Sequence, residues 1–216
     1  MKFPDCDIHH MPQRSDEWFA ARRGLLTASD FGLWLLKNDK TSQKARESAI
    51  CRILAGAANL WQEPNFENAA MKRGTDLEPV AVSAFETFAG TGVTQVGLCV
   101  SRHGLFGCSP DGLLMEEGHG FEGKVPVPST HIAYRRAGVL PEQYQFQIHG
   151  GMAVTGATGW WLQSWNPDLA NLRVFTPRSE FTEELLAALI AFSKDVEEAY
   201  RQEHAAYESE FGKGDA

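Results

Sequence analysis

Residues 109–126, SPDGLLMEEGHGFEGKVP, contain the side-chain types and spacing best suited to chemistry in this chain. Asp111 ends one predicted strand, and Glu122 and Lys124 lie two residues apart on the next. Because side chains alternate along a strand, Glu122 and Lys124 project to the same face of the sheet. A hairpin through the Gly- and Glu-rich turn would bring Asp111 to that face. We therefore expect two carboxylates and one ammonium group to converge there.

Two converging carboxylates repel each other and are costly to desolvate, so such a cluster is most stable around a divalent cation. Hard oxygen ligands favour Mg²⁺ or Mn²⁺. A nearby lysine can orient a water molecule or stabilise negative charge that develops on a phosphate. The same spacing also occurs in ordinary surface hairpins with a Glu–Lys pair, which contributes little to stability. The spacing alone leaves both interpretations open.

The elements that would position this cluster are predicted from hydrophobic periodicity. Two short helices over residues 15–36, broken near Gly24, begin at the capping residue Ser15. A loop is expected over residues 58–68. Apolar spacing predicts further helices at residues 41–57, 75–89, 141–155 and 179–204. Short β-rich segments predict strands at residues 93–101, 104–115, 120–125, 159–165 and 171–176.

This order of elements predicts one mixed α/β (α+β) domain over residues 1–216, with a small mixed central sheet flanked by helices. We expect a helical part over about residues 12–89, the sheet over about 90–177 and an acidic helix over 178–207. Residues 178–216 hold four basic and ten acidic residues, so they carry most of the net charge of −8. The remainder is nearly neutral, and a locally basic groove within it can still bind phosphate.

The four cysteines are far apart and form no C-x-x-C pair, which argues against a zinc or iron–sulfur site made of cysteines alone. We expect four free thiols, packed as small buried hydrophobic side chains in a reducing compartment. No apolar run approaches the ~18–20 residues needed to cross a bilayer. The N-terminus lacks the apolar segment of a secretory signal. These features predict a cytoplasmic protein with no membrane partner.

Four ordered blocks within residues 12–170 resemble the phage lambda exonuclease and YqaJ-like viral recombinase group of the PD-(D/E)-x-K nuclease superfamily. The blocks are W-x3-R-x-G-x2-T-A-S, R-G-x3-E, S-P-D-G and E-x-K. The resemblance implies a restriction-endonuclease-like core and 5′-to-3′ digestion of one strand of linear double-stranded DNA. It implies two Mg²⁺ ions per site, with Mn²⁺ as a substitute. It also implies a homotrimeric ring at DNA ends, a single-strand annealing protein as partner in phage recombination, and a phage or prophage origin in a bacterial host.

The resemblance assigns the catalytic roles residue by residue. Asp111 and Glu122 match the metal-binding carboxylates, and Gly123 would add its backbone carbonyl. Lys124 matches the lysine that positions the attacking water. Glu78 matches a helical glutamate that completes the second metal site. Glu78 also fits the last position of a capping box that begins three residues earlier, so a structural role stays open.

The resemblance also assigns a pocket for the 5′-phosphate of the cut strand. Arg22 and Ser29 match residues of this pocket, and Ser109 fits as a third member. In the family's Q-x-Q helix this chain has Gln147 followed by His149, where a second glutamine is usual, so either residue could supply the last contact. The further DNA-contacting candidates are Trp18, which also suits core packing, Thr27, Arg73 and Met71, the last as a wedge at the duplex end.

Two alternatives to the exonuclease remain from the sequence. One is a sequence-specific or repair endonuclease of the same superfamily, which would cut closed circular duplex. The branches that carry an iron–sulfur cluster use C-terminal cysteines, and this chain has none after Cys108. The other is a non-catalytic module that binds DNA ends, which the complete set of core residues disfavours.

Overall fold

The computed structural model describes residues 2–34, 40–58 and 69–212, which contain both strands and helices. Inside helices, the side chains of residues 33–34, 40–42 and 69–71 lie outside this description. In chain order the elements are β1 (Cys6–His9), α1 (Asp16–Arg22), β2 (Leu26–Thr27), α2 (Phe31–Trp34), α3 (Lys40–Ala57), α4 (Ala69–Ala89), β3 (Leu98–Ser101), β4 (Phe106–Cys108), β5 (Gly112–Leu114), β6 (His119–Lys124), α5 (Pro128–Ala137), a 3₁₀ turn (Glu142–Tyr144), α6 (Gln145–Thr155), β7 (Gly159–Ser164), β8 (Leu172–Pro177) and α7 (Glu180–Phe211).

The strands form two four-stranded sheets, ordered β1-β3-β4-β2 and β5-β6-β7-β8. Each sheet is mixed, because β2 runs parallel to β4 and β6 runs parallel to β7, while the other pairs are antiparallel. The mixed α/β class is thus confirmed. The expected strand over residues 104–115 is divided into β4 and β5, and the single expected sheet becomes two. Pro110 lies at the break, where a residue without an N–H group cannot continue the ladder.

Helix α6 is buried along most of its length and contacts strands of both sheets. Its close approach depends on two glycines that enclose the ring of Trp160. A Cβ atom at Gly151 would lie 2.5 Å from this ring, and one at Gly120 would lie 2.2 Å from it. Only glycine fits both positions, and α6 therefore sits directly against the second sheet.

Helix α4 packs on β6 through Phe85 and Phe121, whose ring centroids are 4.3 Å apart. The helix begins at Ala69, earlier than the sequence predicts. Thr75 and Glu78 therefore lie within the helix rather than at its start. The capping-box interpretation of Glu78 is wrong for this reason.

Three short elements escape the sequence analysis: β1, β2 and α5. Helix α5 begins at Pro128 and has no strong apolar stripe, but its His131 is fully buried. One ring nitrogen of His131 shares a hydrogen bond of 2.8 Å with the Ser164 hydroxyl, and the other lies 3.0 Å from the carbonyl of Ala170. Tertiary contacts thus define this helix. The loop expected over residues 58–68 lies, apart from its first residue, outside the described residues.

The cysteines divide into two groups. Cys6, Cys99 and Cys108 are buried in the first sheet, as expected, whereas Cys51 on α3 is exposed, so the expectation of burial is wrong there. Within the described residues, no helix has the length and apolarity that crossing a bilayer requires.

Candidate active site

A cleft of about 420 Å³ lies between α4 and the end of β6. It collects four of the side chains or backbone groups that the sequence analysis singled out as catalytic or metal-binding. These are Glu78, Asp111, Gly123 and Lys124. The cleft is also lined by Arg14, Arg73 and Tyr144.

Asp111 immediately precedes β5 and is tied to β6. Its Oδ2 atom accepts a hydrogen bond of 2.7 Å from the backbone N–H of Gly123. Desolvation in the cleft raises the pKa of Asp111 well above its ordinary value, and the carboxylate of Glu122 raises it further, while Lys124 opposes the shift. The hairpin that the sequence predicts therefore brings Asp111 to the other charged groups.

Glu122 and Lys124 project from β6 to the same face, as predicted. Glu122 is 4% exposed, and its Oε1 atom accepts hydrogen bonds from the Lys124 ammonium and, at 2.6 Å, from the Gln147 amide. Burial alone would lower the pKa of Lys124, but Glu122 and Asp111 outweigh it, so the pKa is raised. The lysine is held as a cation above the Tyr144 ring, 5.1 Å from its centroid.

Glu78 enters the cleft from α4, the element opposite β6. Burial raises the pKa of Glu78 above its ordinary value, Arg14 opposes this shift, and the Glu122 carboxylate adds to it. The raised pKa values of Glu78 and Asp111 have one cause in common, since acidic groups crowd a poorly hydrated space. An additional positive charge in the cleft would relieve this repulsion.

The carboxylates of the cleft suit a hard divalent cation whose remaining ligands come from water and a substrate. Among the described residues, no group of three or more acidic, histidine or cysteine side chains is arranged to hold a metal ion by itself. Mg²⁺ commonly uses only one or two carboxylates and takes its remaining ligands from water and substrate phosphates. Asp111 and Glu78 line the cleft, Glu122 lies beside Asp111, and their carboxylate oxygens are of the type that Mg²⁺ prefers.

A second cluster of predicted residues forms a hydrogen-bonded network beside the cleft. The Arg22 guanidinium donates to Ser109 Oγ at 2.9 Å and to Thr27 Oγ1 at 3.1 Å. The Trp18 indole donates to the same Ser109 oxygen at 3.0 Å, and its ring lies 4.1 Å below the guanidinium carbon. The hydroxyls of Thr27 and Ser29 are 3.3 Å apart. All five residues were candidates from the sequence.

Local structure explains why these residues meet. Ser15 caps α1 by accepting a hydrogen bond from the backbone N–H of Trp18, as predicted. Trp18 and Arg22 are four residues apart on α1 and so share a face. Strand β2 then pairs with β4 and carries Thr27 to the guanidinium. Burial lowers the pKa of Arg22, and the Asp30 carboxylate partly offsets this effect.

The structure separates the two alternatives for the Q-x-Q helix. Gln147 faces the cleft side and donates to Glu122, whereas His149 faces α7. The Nδ1 atom of His149 lies 2.8 Å from the Thr182 hydroxyl, and its ring packs on Phe181 with centroids 4.9 Å apart. Residues two apart on a helix point in roughly opposite directions, about 200° around the axis. His149 therefore points away from the cleft, and Gln147 bonds Glu122 rather than a member of the network that contains Arg22.

The other two DNA-contact candidates lie on α4. Arg73 lines the cleft and donates to the backbone carbonyls of Val125 at 3.2 Å and Pro126 at 3.4 Å, which ties α4 to the segment after β6. The backbone of Met71 is part of α4, but its side chain lies outside the described residues.

Three residues around the cleft were missed from the sequence: Arg14, Tyr144 and Gln163. Gln163 on β7 is fully buried, donates to the carbonyl of Ala81 on α4 at 2.6 Å and accepts from the Arg173 guanidinium at 2.8 Å. A glutamine in the apolar strand Gly159–Ser164 is an unusual residue that could have been noticed. Arg14 belongs to no block of the resemblance, so nothing in the sequence pointed to it.

A family model described as the YqaJ-like viral recombinase domain matches residues 17–158. No curated protein sequence matches the chain. Among solved structures, an alkaline exonuclease (LHK-Exo) from Laribacter hongkongensis is 31% identical, with a TM-score of 0.73 over 89% of this chain and 98% of that chain. Its complex with dAMP matches with a TM-score of 0.74 at the same identity and coverage.

A phage related exonuclease from Haemophilus somnus 129PT is also similar in structure. It has a TM-score of 0.57 and 11% identity, over 84% of this chain and 96% of that chain. At this identity the likeness concerns the fold alone.

Proposed function

The chain belongs to the YqaJ-like viral recombinase domain family, and from this membership we propose that it is a Mg²⁺-dependent exonuclease that digests one strand of linear double-stranded DNA from its 5′ end. The observation that carries the proposal is the adjacency of the two clusters. Ser109 belongs to the Arg22 network and Asp111 to the acidic cleft, and a single residue separates them. In an extended chain this separation is about 7 Å, within the reach of one terminal nucleotide.

The acidic cleft would carry out the hydrolysis. Asp111, Glu122 and Glu78 would hold two Mg²⁺ ions, and Mn²⁺ would take the same ligands. Such ions, when bound, polarise the scissile phosphate and lower the pKa of a water molecule. Lys124 would position the attacking water, and its charge favours the negative charge that develops on the phosphate. Gln147 fixes the orientation of Glu122 through its hydrogen bond.

The Arg22 network would provide the polarity of digestion. A guanidinium that is held by Ser109 and Thr27 presents its donors in a fixed fork, which suits the oxygens of a terminal phosphate. Each cut that breaks the bond between phosphorus and the 3′ oxygen of the released nucleotide would leave a new 5′-phosphate on the shortened strand, and this phosphate could enter the same pocket. The similar exonuclease from Laribacter hongkongensis forms a complex with dAMP, a nucleotide with one phosphate.

The proposal extends to the assembly and its context. We place the protein in a homotrimeric ring around DNA that works with a single-strand annealing protein during phage recombination in the bacterial cytoplasm. The charge distribution supports a ring, because α7 carries most of the net negative charge and suits an outer surface. Light scattering of the purified protein would give the number of subunits.

Digestion of three matched DNA substrates tests the activity. We expect Mg²⁺-dependent loss of a linear duplex with 5′-phosphates, slower loss of the 5′-hydroxyl form and no cutting of a closed circular plasmid. Cutting of the circle would instead support an endonuclease of the same superfamily. If neither Mg²⁺ nor Mn²⁺ supports any cutting, a module that binds DNA ends becomes the better explanation.

A further inference from the structure

Arg14 has an unusual backbone conformation at the edge of the cleft. Its φ of 68° makes it the non-glycine residue with a positive φ among the described residues. Side chains with a Cβ atom rarely adopt this left-handed region because of steric repulsion. Strained residues of this kind are concentrated at functional sites, where the surrounding structure maintains them.

The neighbours of Arg14 hold this conformation in place. The Gln13 amide donates to the backbone carbonyls of Val96 at 3.0 Å and Pro110 at 2.9 Å, so the loop is attached next to Asp111. On the other side, Ser15 is fixed as the cap of α1. These hydrogen bonds hold the backbone on both sides of Arg14.

The Arg14 side chain crosses the cleft to α4. Its guanidinium donates to the Thr75 hydroxyl, one turn before Glu78 on the same helix. Arg14 is exposed, and it lines the same cleft as Asp111 and Lys124. It therefore adds a cation to the acidic cleft, on the α4 side, while the Arg22 network lies beyond Ser109.

A bracing role explains this arrangement poorly. An exposed hydrogen bond to a hydroxyl contributes little to stability, whereas a glycine at position 14 would relieve the backbone strain. A phosphate oxygen is a much better acceptor for a guanidinium than a hydroxyl, because the bond is then charge-assisted on both sides. The strain is therefore better explained by a ligand that arrives in the cleft.

We propose that Arg14 is a substrate-binding residue whose guanidinium exchanges the Thr75 hydroxyl for an internal backbone phosphate of the DNA strand in the cleft. The inference rests on the proposed function and extends it, because the Arg22 network would hold only the terminal phosphate. Arg14 and Arg22 would bind phosphates of the same DNA strand on either side of residues 109–111.

The test measures DNA binding separately from cleavage. The affinity of the full chain for a fluorescent linear duplex with 5′-phosphates is measured by anisotropy across a salt series, with Ca²⁺ in place of Mg²⁺. The variants are Arg14→Gly and Arg14→Asn, which suit the backbone and remove the charge, and Arg14→Lys, which keeps the charge. Arg201→Ala removes the same charge from α7, where the side chain is 66% exposed, and is the matched control.

For Arg14→Gly and Arg14→Asn we expect weaker binding and a salt slope that is smaller by ~0.7–0.9, which corresponds to one phosphate contact. The Arg14→Lys variant and the Arg201→Ala control should keep the wild-type slope. Melting temperatures of the Arg14→Gly variant should equal or exceed the wild-type value. An unchanged slope and affinity in both uncharged variants would overturn the inference while leaving the exonuclease proposal intact. A wild-type protein that neither binds nor cuts linear DNA would overturn both.

Discussion

At Asp111, two neighbours favour the ionised carboxylate and two oppose it. The Lys124 ammonium and the Gly123 N–H stabilise the negative charge, whereas Glu122 and Glu78 repel it. Two neighbouring carboxylates can be tolerated in a site that gains positive charge when a cation binds. The arrangement therefore lowers the stability of the cation-free protein and raises its affinity for a cation and a phosphate.

We predict that Asp111→Asn slows cleavage strongly but does not weaken the fold. The rate should fall on the order of 10³-fold, because a ligand of the proposed ions is lost. The melting temperature in EDTA should stay the same or rise, since a repelled charge is replaced by a neutral amide. Cleavage assays and thermal melts measure the two effects, with Glu116→Gln, an exposed residue of the same hairpin, as the control. A clear loss of stability in EDTA would show that Asp111 is mainly structural.

We predict that Arg22→Lys removes the preference for a 5′-phosphate. Lysine keeps the charge but cannot contact Ser109 and Thr27 at once in the geometry of a guanidinium. The ratio of the rates on 5′-phosphate and 5′-hydroxyl duplexes should fall about tenfold, as expected for the loss of one charged hydrogen bond. The control is Arg23→Lys, at the exposed neighbouring position. An unchanged ratio would place the phosphate elsewhere.

Among the elements, the position of α4 matters most, because it alone carries Glu78 into the cleft. Gln163 on β7 and Arg173 on β8 form a bridge between the second sheet and this helix. Gln163 bonds the carbonyl of Ala81, and Arg173 bonds that of Ala84 at 3.4 Å while its guanidinium lies 4.3 Å from the Phe88 ring.

We predict that Gln163→Met destabilises the protein by about 1–3 kcal/mol, because buried polar groups lose their partner. If the bridge positions Glu78, the variant will also need more Mg²⁺ for half-maximal cleavage. Urea unfolding gives the stability, and a Mg²⁺ titration of activity gives the metal requirement. Gln202→Met, on the exposed end of α7, should change neither. Lost stability with an unaltered Mg²⁺ requirement would limit Gln163 to a structural role.

The contact between α6 and α7 predicts a pH dependence of stability. Burial lowers the pKa of His149, which bonds Thr182. A histidine whose pKa is lowered by folding contributes fully above its unfolded value of about 6.5, and the contribution is lost as the pH falls further. His149→Gln should therefore lose less stability than the wild type between pH 7.5 and pH 5.5 in urea unfolding. The control is His204→Gln, at an exposed position of α7. If both variants lose the same stability between pH 7.5 and pH 5.5, His149 is not the source of the pH dependence.

The sequence predicts the elements whose patterns are local and fails where tertiary contacts decide. Strand β6 and the face shared by Glu122 and Lys124 follow from simple alternation. The Arg22 network follows only with the resemblance, since its members come from distant segments. Helix α5 escaped because a buried histidine, rather than an apolar stripe, attaches it to the sheet. Arg14 could not be found at all, because its backbone conformation is a property of the folded loop.

At the scale of the molecule, the long helix α7 contributes to the hydrophobic core along only part of its length. Its buried residues end at Val196, and the aromatic side chains beyond it, Tyr200, Tyr207 and Phe211, are more than half exposed. Most of the acidic residues of the C-terminal segment lie on this helix. The distal half of α7 therefore adds charge and exposed surface but little to the core.

We predict that removal of residues 203–216 leaves the fold intact. The melting temperature should stay within about 2 °C of the full-length value, because no buried contact of the described residues is lost. Cleavage of linear duplex should persist. A large drop in melting temperature that depends on protein concentration would instead show that this half of α7 is buried between subunits.

The exposed thiol of Cys51 makes this protein easy to equip with a reporter dye. The other three thiols are buried, and a hydrogen bond to Cys99 followed by burial raises the pKa of Cys6, which suppresses the reactive thiolate. A maleimide fluorophore would therefore attach to Cys51 in the native protein. Its neighbour Arg52 binds Asp30, at 3.1 Å, at the edge of the Arg22 network. We expect the emission of such a label to change when a linear duplex binds at the Arg22 network, and no engineered cysteine is needed.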